Sequence, residues 1–265
     1  MLPLYPLAAS PKAHLPLTLD WILRKLKALA FLGLVAVAQP APLIAQAWQC
    51  QPPKFLPRPA LEIPQPSQVR RSAVNGYVLI LSWTPEHCRG RERDPTMRFQ
   101  CSGEIGDFGF VLHGLWPEAK GKNHPQYCRT VGVLPRRVVA DNMCLSPSPQ
   151  LLQHQWAKHG SCMARTPETY FGAARLLFNA IEFPDMARLS REPERGTPLT
   201  ARVLAERIAD LNEGLPSDAI IVTTTGKGWL NDVRICLGGN FKPRRCPQSN
   251  QLPANKAHIK IWRGR

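Results

Sequence analysis

Along Tyr77–Trp83 the side chains alternate, with Tyr77, Leu79, Leu81 and Trp83 on one side and Val78, Ile80 and Ser82 on the other. A period of two is that of a β-strand, and this one carries an aromatic-rich face. A second strand is expected over Phe108–Leu112. Ala219–Thr225 and Trp229–Leu237, rich in β-branched and aliphatic residues, read as two more. Elsewhere the period lengthens. Leu151–His159 lacks Gly and Pro, and Gly160 is placed to end a helix there. Thr169–Ile181 sets Tyr170, Ala174, Leu177 and Ile181 on one side of a second helix. Thr200 is placed to cap a third, with Val203, Leu204, Ile208 and Leu211 lining a face. Residues 48–72 hold six prolines and read as an extended leading segment, whereas the polar and charged stretch 89–107 reads as a loop. Strands and helices recur without a βαβ alternation, a Gly-rich phosphate loop or an internal repeat, so the expected class is α+β.

A chain of 265 residues fits one domain of ordinary size plus a targeting segment. Its 27 prolines argue against long helical repeats. Arg24, Lys25 and Lys27 stand at the head of an apolar run, Leu26 to Val37, that is short for a membrane span. Ala45-Gln46-Ala47 supplies small residues for a signal peptidase, which predicts cleavage before Trp48; an uncleaved anchor is the competing reading. The expected organisation is a signal peptide over 1–47, a proline-rich segment over 48–72, a catalytic domain over 73–247 and a basic, loose tail over 248–265. All eight cysteines lie beyond the cleavage point. In an exported chain an even number reads as disulfides. Zinc is the alternative use, and no Cys-x-x-Cys pair favours it. Beyond residue 47 the chain carries 30 basic and 18 acidic residues, a net charge of +12. Such a protein is attracted to polyanions.

Two segments carry candidate chemistry. In Leu112-His113-Gly114-Leu115-Trp116-Pro117-Glu118 a histidine follows a buried strand where the chain leaves the core, a place that can hold a side chain rigidly and still expose it. In His154-Gln155-Trp156-Ala157-Lys158-His159-Gly160, a helix sets residues 154, 155, 158 and 159 at about 0°, 100°, 40° and 140°. Two imidazoles, an amide and an ammonium then crowd into less than half the circumference, a good anion site. Trp156 projects away from them toward the core. A zincin site is excluded, because His154 and His159 are five apart and the glutamate base is missing.

Together these segments resemble the two active-site motifs of the ribonuclease T2 family, as do Ser82-Trp83-Thr84-Pro85 before Cys88 and the cysteine two residues after Gly160. The resemblance implies a central antiparallel sheet flanked by helices. It implies a secreted or periplasmic enzyme, a monomer with no cofactor and no metal, that cleaves single-stranded RNA through a 2′,3′-cyclic phosphate to a 3′-phosphate. His113 and His159 would be the acid–base pair, facing each other across a gap for one phosphodiester. His154 and Lys158 would contact the phosphate, and Trp116 and Glu118 would help bind a base. Gln155 stands where the family usually has glutamate, which implies an attenuated or pH-shifted enzyme. For disulfides it implies Cys88–Cys101, Cys128–Cys162 and Cys236–Cys246, leaving Cys50 with Cys144. A binding protein of the same fold with weakened catalysis is the alternative, and a metal-dependent hydrolase a third.

Overall fold

The computed structural model of the chain describes residues 47–192, 196, 198–247 and 258–264. The expected signal peptide lies outside them but for its last residue. In chain order the elements are β1 (Ala47–Trp48), β2 (Gly76–Trp83), α1 (Thr84–His87), α2 (Arg98–Cys101), β3 (Asp107–Phe108), β4 (Phe110–Glu118), α3 (Arg136–Asn142), α4 (Pro149–Lys158), α5 (Pro167–Asn179), α6 (Met186–Leu189), α7 (Ala201–Leu211), β5 (Ile220–Thr224) and β6 (Leu230–Gly238). Among the described residues no helix is long and apolar enough to cross a membrane.

The class is α+β, as expected. β4, β2, β6 and β5 form an antiparallel sheet in that order, while β1 and β3 pair separately. Strand β2 is central, and the alternation legible in the sequence has both its faces buried. Leu79, Leu81 and Trp83 join the main core with Leu115, Leu152 and Tyr170. Val78 and Ile80 form a smaller cluster with Ile221, Cys236 and Cys246, against which Trp116 packs. Burying both faces favours apolar residues at nearly every position of the strand.

β4 lies at one edge of the sheet, where its free N–H and C=O groups need partners. Tyr170 of α5 supplies them: its hydroxyl donates to the Leu115 carbonyl at 3.1 Å and accepts from the Leu115 N–H at 3.3 Å. The Leu112 N–H donates to the Leu145 carbonyl at 2.8 Å. Tyr170 itself is fully buried, which pushes its phenol pKa well above the usual value.

Several expectations are corrected. The strand expected over 108–112 is split: Phe108 ends β3, which pairs with β1, and β4 starts at Phe110 and runs on through Glu118, so the chain does not leave the sheet at His113. Helix α4 ends at Lys158, with His159 at its C-cap. Ser148 caps its start, its hydroxyl accepting from the Leu151 N–H at 3.2 Å, with Pro149 in the first turn. Gly160 is not a left-handed stop. A Cβ there would sit 2.5 Å from the Trp156 ring and 2.9 Å from that of Tyr170, so glycine permits close packing. Within the stretch expected as loop, α2 forms, its Cys101 tied to Cys88.

The basic end is not a loose tail over residues 258–264. Ile259 and Ile261 are buried, and the Ile259 N–H donates to the Leu199 carbonyl at 2.8 Å. The Trp262 carbonyl accepts from the Trp83 indole at 2.7 Å. The apolar Ile259 and Ile261 among the basic residues drive that docking.

All eight cysteines are paired: Cys50–Cys144, Cys88–Cys101, Cys128–Cys162 and Cys236–Cys246. This set agrees with the one implied by the family resemblance, and it leaves no thiolate for zinc.

Candidate active site

Strand register explains how His113 reaches the site. Ile80 faces Gly114 and Leu81 faces Leu112, so His113 has no partner on β2 and forms a β-bulge. A bulge inserts one residue, bends the strand and re-aims a side chain. His113 is thus held in a rigid sheet yet released from its alternation.

Two polar groups anchor its ring. The Ser82 hydroxyl lies 3.1 Å from His113 Nδ1 and donates to Asp232 Oδ1 at 2.7 Å. Asp232, on β6 opposite Ser82, is buried. Its Oδ2 accepts from Asn231 Nδ2 at 2.9 Å and from Arg234 and Thr223 at 3.4 Å each. Burial lowers the His113 pKa from its usual value; the Asp232 charge opposes the shift, while Arg234, His154 and His87 add to it.

His159 is held differently. It follows the last turn of α4, its N–H donating to the Gln155 carbonyl at 3.0 Å. Its ring is stacked on the Trp116 indole, with centroids 4.7 Å apart and planes 10° off parallel. Only 6% of the residue is exposed, and neither ring nitrogen has a hydrogen-bond partner among the described residues. Burial, reinforced by Lys158, His154 and His113, drives its pKa down to about 2. Trp116 also meets the His113 ring edge-on at 5.5 Å. An indole in contact with both rings therefore stands where an open gap was expected.

Gln155 holds that indole. Its Oε1 accepts from Trp116 Nε1 at 2.9 Å, and its Nε2 is buried without a partner among the described residues. A Cβ on Gly114 would approach Gln155 Oε1 to 2.0 Å and Trp116 Nε1 to 2.7 Å, so the glycine after His113 makes room for the contact. Gln155, which stands where the family usually has glutamate, supports an indole here.

His154 stands beside His159, ring centroids 6.4 Å apart, and its Nδ1 lies 2.9 and 3.0 Å from the two carboxylate oxygens of Glu62. The Tyr127 hydroxyl also donates to Glu62, and burial with that carboxylate raises the Tyr127 pKa. Glu62 belongs to the proline-rich segment, which is fastened to α4 by the Ala60 N–H donating to Gln150 Oε1 at 2.8 Å. Lys158, half-buried, is close enough for its charge to lower the His159 pKa. Trp156 is buried against Tyr170, as expected.

Glu118 does not join this group. Two residues beyond Trp116, it is buried and takes a 3.5 Å contact from Arg244. Reading the sequence missed Glu62, Asp232 and the anchoring part of Ser82. Ser82 alone had a signal, its place in a family-like motif. Among the described residues no group of three or more His, Cys, Asp or Glu side chains is arranged to hold a metal ion.

The profile of the Ribonuclease T2 family matches residues 75–246. The chain belongs to that family. It is 35% identical over 136 residues to a probable ribonuclease of Haemophilus influenzae, covering 47% of this chain and 49% of that one. It is 34% identical over 126 residues to a ribonuclease of Aeromonas hydrophila, covering 48% and 55% respectively. The chain spans about half the length of these curated relatives. Its fold is similar to that of trichomaglin, described as an S-like ribonuclease, with a TM-score of 0.54 at 17% identity over 71% of this chain and 97% of that one.

Proposed function

We propose that the protein is a secreted or periplasmic endoribonuclease that cleaves single-stranded RNA by transesterification to a 2′,3′-cyclic phosphate, followed by hydrolysis to a 3′-phosphate. The observation that carries this reading is the convergence of His113 and His159, from a strand bulge and a helix C-cap, on one indole beside His154 and Lys158. Family membership and the ribonuclease relatives support it.

RNA brings its own nucleophile, the 2′-OH, so the protein needs a base, an acid and a clamp for the growing charge. Histidine serves as base and acid near neutral pH. His159 is kept neutral by burial at rest and takes the 2′-OH proton once its ring is uncovered. His113, facing Asp232 through Ser82, gives a proton to the departing 5′-oxygen. Lys158 and His154 stabilise the phosphorane oxygens. Water then opens the cyclic phosphate with the two histidines exchanging roles. DNA lacks the 2′-OH and is not cut this way.

For His159 to act, the indole of Trp116 must swing off its ring, which breaks one hydrogen bond to Gln155 and frees a flat apolar face for a base. Stacking a base on an indole is worth about 1–3 kcal/mol, which is set against a lost neutral hydrogen bond of about 1 kcal/mol and the lost stack on His159. Base binding and uncovering of His159 are thereby one event.

The test is cleavage of single-stranded RNA by the purified protein with a chelator present, with the product ends identified. Cyclic 2′,3′-phosphate ends that disappear in His113→Ala support the reading. Loss of activity in the chelator alone would turn it toward a metal-dependent hydrolase. Binding of RNA without cleavage would mark a binding protein of the same fold.

A further inference from the structure

We infer that Ser82 and Asp232 form a positioning relay that fixes which nitrogen of His113 faces the substrate. The inference rests on the proposed acid–base role of His113 and goes beyond the residues of the two motifs.

The hydrogen positions follow from the chemistry of the three groups. An ionised carboxylate is acceptor-only. The Ser82 proton therefore points at Asp232 Oδ1, 2.7 Å away. With its one hydrogen so used, the Ser82 oxygen can only accept from the imidazole, so Nδ1 of His113, 3.1 Å off, carries a hydrogen. The remaining nitrogen, Nε2, is then the one that exchanges protons with RNA. After Nε2 gives up its proton, the neutral ring is left in the tautomer the relay already holds, so no reorganisation follows the step.

The surroundings of Asp232 keep it oriented for this. Its Oδ2 takes Asn231 at 2.9 Å and Arg234 at 3.4 Å, both obligatory donors. Oδ1 is the atom turned to Ser82. Replacing Asp232 with asparagine preserves shape and inverts the relay. The amide oxygen must stay at the Oδ2 side, where Asn231 and Arg234 donate, so the amide NH₂ faces Ser82. Ser82 then accepts from the amide and turns its own hydrogen on His113 Nδ1, selecting the Nε2–H tautomer. It also opposes the doubly protonated ring, because two hydrogens would meet between Ser82 and Nδ1. The groups facing His113 are Asp232 through Ser82, with Arg234, His154, His87 and His159 around it, and the substitution removes the Asp232 charge together with its pairing to Arg234 and its influence on His87.

The experiment combines kinetics with NMR of the full chain carrying Asp232→Asn, Ser82→Ala or both. In the wild type, long-range proton–nitrogen correlations of His113 are expected to show Nδ1–H, and in Asp232→Asn the Nε2–H form. A misoriented group costs on the order of 100-fold, so kcat should fall roughly 10- to 100-fold in Asp232→Asn with KM nearly unchanged. The acid form of His113 becomes scarcer, so the upper limb of the pH profile moves to lower pH. The double variant should be no slower than Ser82→Ala alone, since each breaks the same relay. An Nε2–H tautomer in the wild type overturns the inference, as does an unchanged tautomer and profile in Asp232→Asn. If Asp232→Asn fails to fold, Ser82→Ala decides: equal amounts of both tautomers and a slowed kcat support the relay, and a wild-type tautomer and rate overturn it. Should the wild type cut no RNA, the proposed function fails, while the tautomer measurement still decides the relay.

Discussion

The two imidazoles at the heart of the site are held by opposite means. His113, on a bulge of β4, is tied through Ser82 to a buried carboxylate, and its ring has a defined polar partner. His159, at the C-cap of α4, has no hydrogen-bond partner on either ring nitrogen among the described residues and is fixed by the stacked face of Trp116. A ring held by hydrogen bonds has its tautomer and orientation set before substrate arrives. A ring held by stacking is oriented but kept dry and uncharged, and it must be uncovered to work. Both rings are pushed toward the neutral form by burial, but only at His113 does a carboxylate, Asp232, oppose the shift, which separates an acid candidate from a base candidate.

The largest effect that can break this comparison is removal of the stacked ring itself. His159→Ala should lower kcat by roughly 10²–10⁴, the usual loss for a general acid or base. A loss equal to that of His113→Ala, read by initial rates on a single-stranded oligonucleotide, fits two partners in one step. Near wild-type activity would remove His159 from the reaction.

Trp116→Ala comes next. It deletes both the cover on His159 and the proposed base platform, so KM should rise by a factor of about 5–150, the equivalent of 1–3 kcal/mol of stacking. With the ring uncovered, the His159 pKa should climb from about 2 toward its ordinary value. NMR titration of the ring reads this directly, and an unmoved pKa would mean that other groups keep the ring dry.

Acid sensitivity sharpens the comparison further. In the folded protein His159 stays neutral down to about pH 2, whereas in the unfolded chain it takes up a proton near pH 6.5. The stability this represents is fully present above pH 6.5 and is lost progressively as pH falls toward 2. Urea midpoints at pH 7 and pH 5 should therefore differ less for His159→Gln than for the wild type. His113, lowered by burial but opposed by Asp232, should contribute in the same direction and less steeply.

The smallest expected effect is at Glu62. Replacing it with glutamine keeps a hydrogen bond to His154 and removes the charge, a difference on the order of 1 kcal/mol, or up to about tenfold. Because His154 is proposed to contact the phosphate, the change should appear in KM, with kcat little altered. An effect on folding alone, seen by thermal melting with unchanged kinetics, would confine Glu62 to tying the proline-rich segment to α4.

Much of this molecule is written locally. The alternation of β2 follows from short-range periodicity, the helix near Gly160 from a stretch free of Gly and Pro, and the start of that helix from the Ser148 cap and Pro149. The histidines and Lys158 were legible because their chemistry needs particular residue types at particular spacings; three of the disulfides followed from the family resemblance, and the fourth was the pair it left over. Ser82, Asp232 and Glu62 were not legible in the same way. The atoms that make them matter come from segments separated by 150 residues for Ser82 and Asp232, and by 92 for Glu62 and His154. No local pattern encodes such meetings; sheet registry creates the first, and the path of the proline-rich segment across α4 creates the second.

The sequence by itself determined which residues could do chemistry: two motifs, their imidazoles and the ammonium, and a strand–helix order that sets them near one another. Only the tertiary structure decided what each would touch. A one-residue bulge, invisible to periodicity, turned His113 onto Ser82. The absence of a side chain at Gly114 let Gln155 hold Trp116 over His159. The physical reason is that hydrogen bonds and ring stacking act over a few ångströms, and those distances are fixed by how distant strands and helices pack.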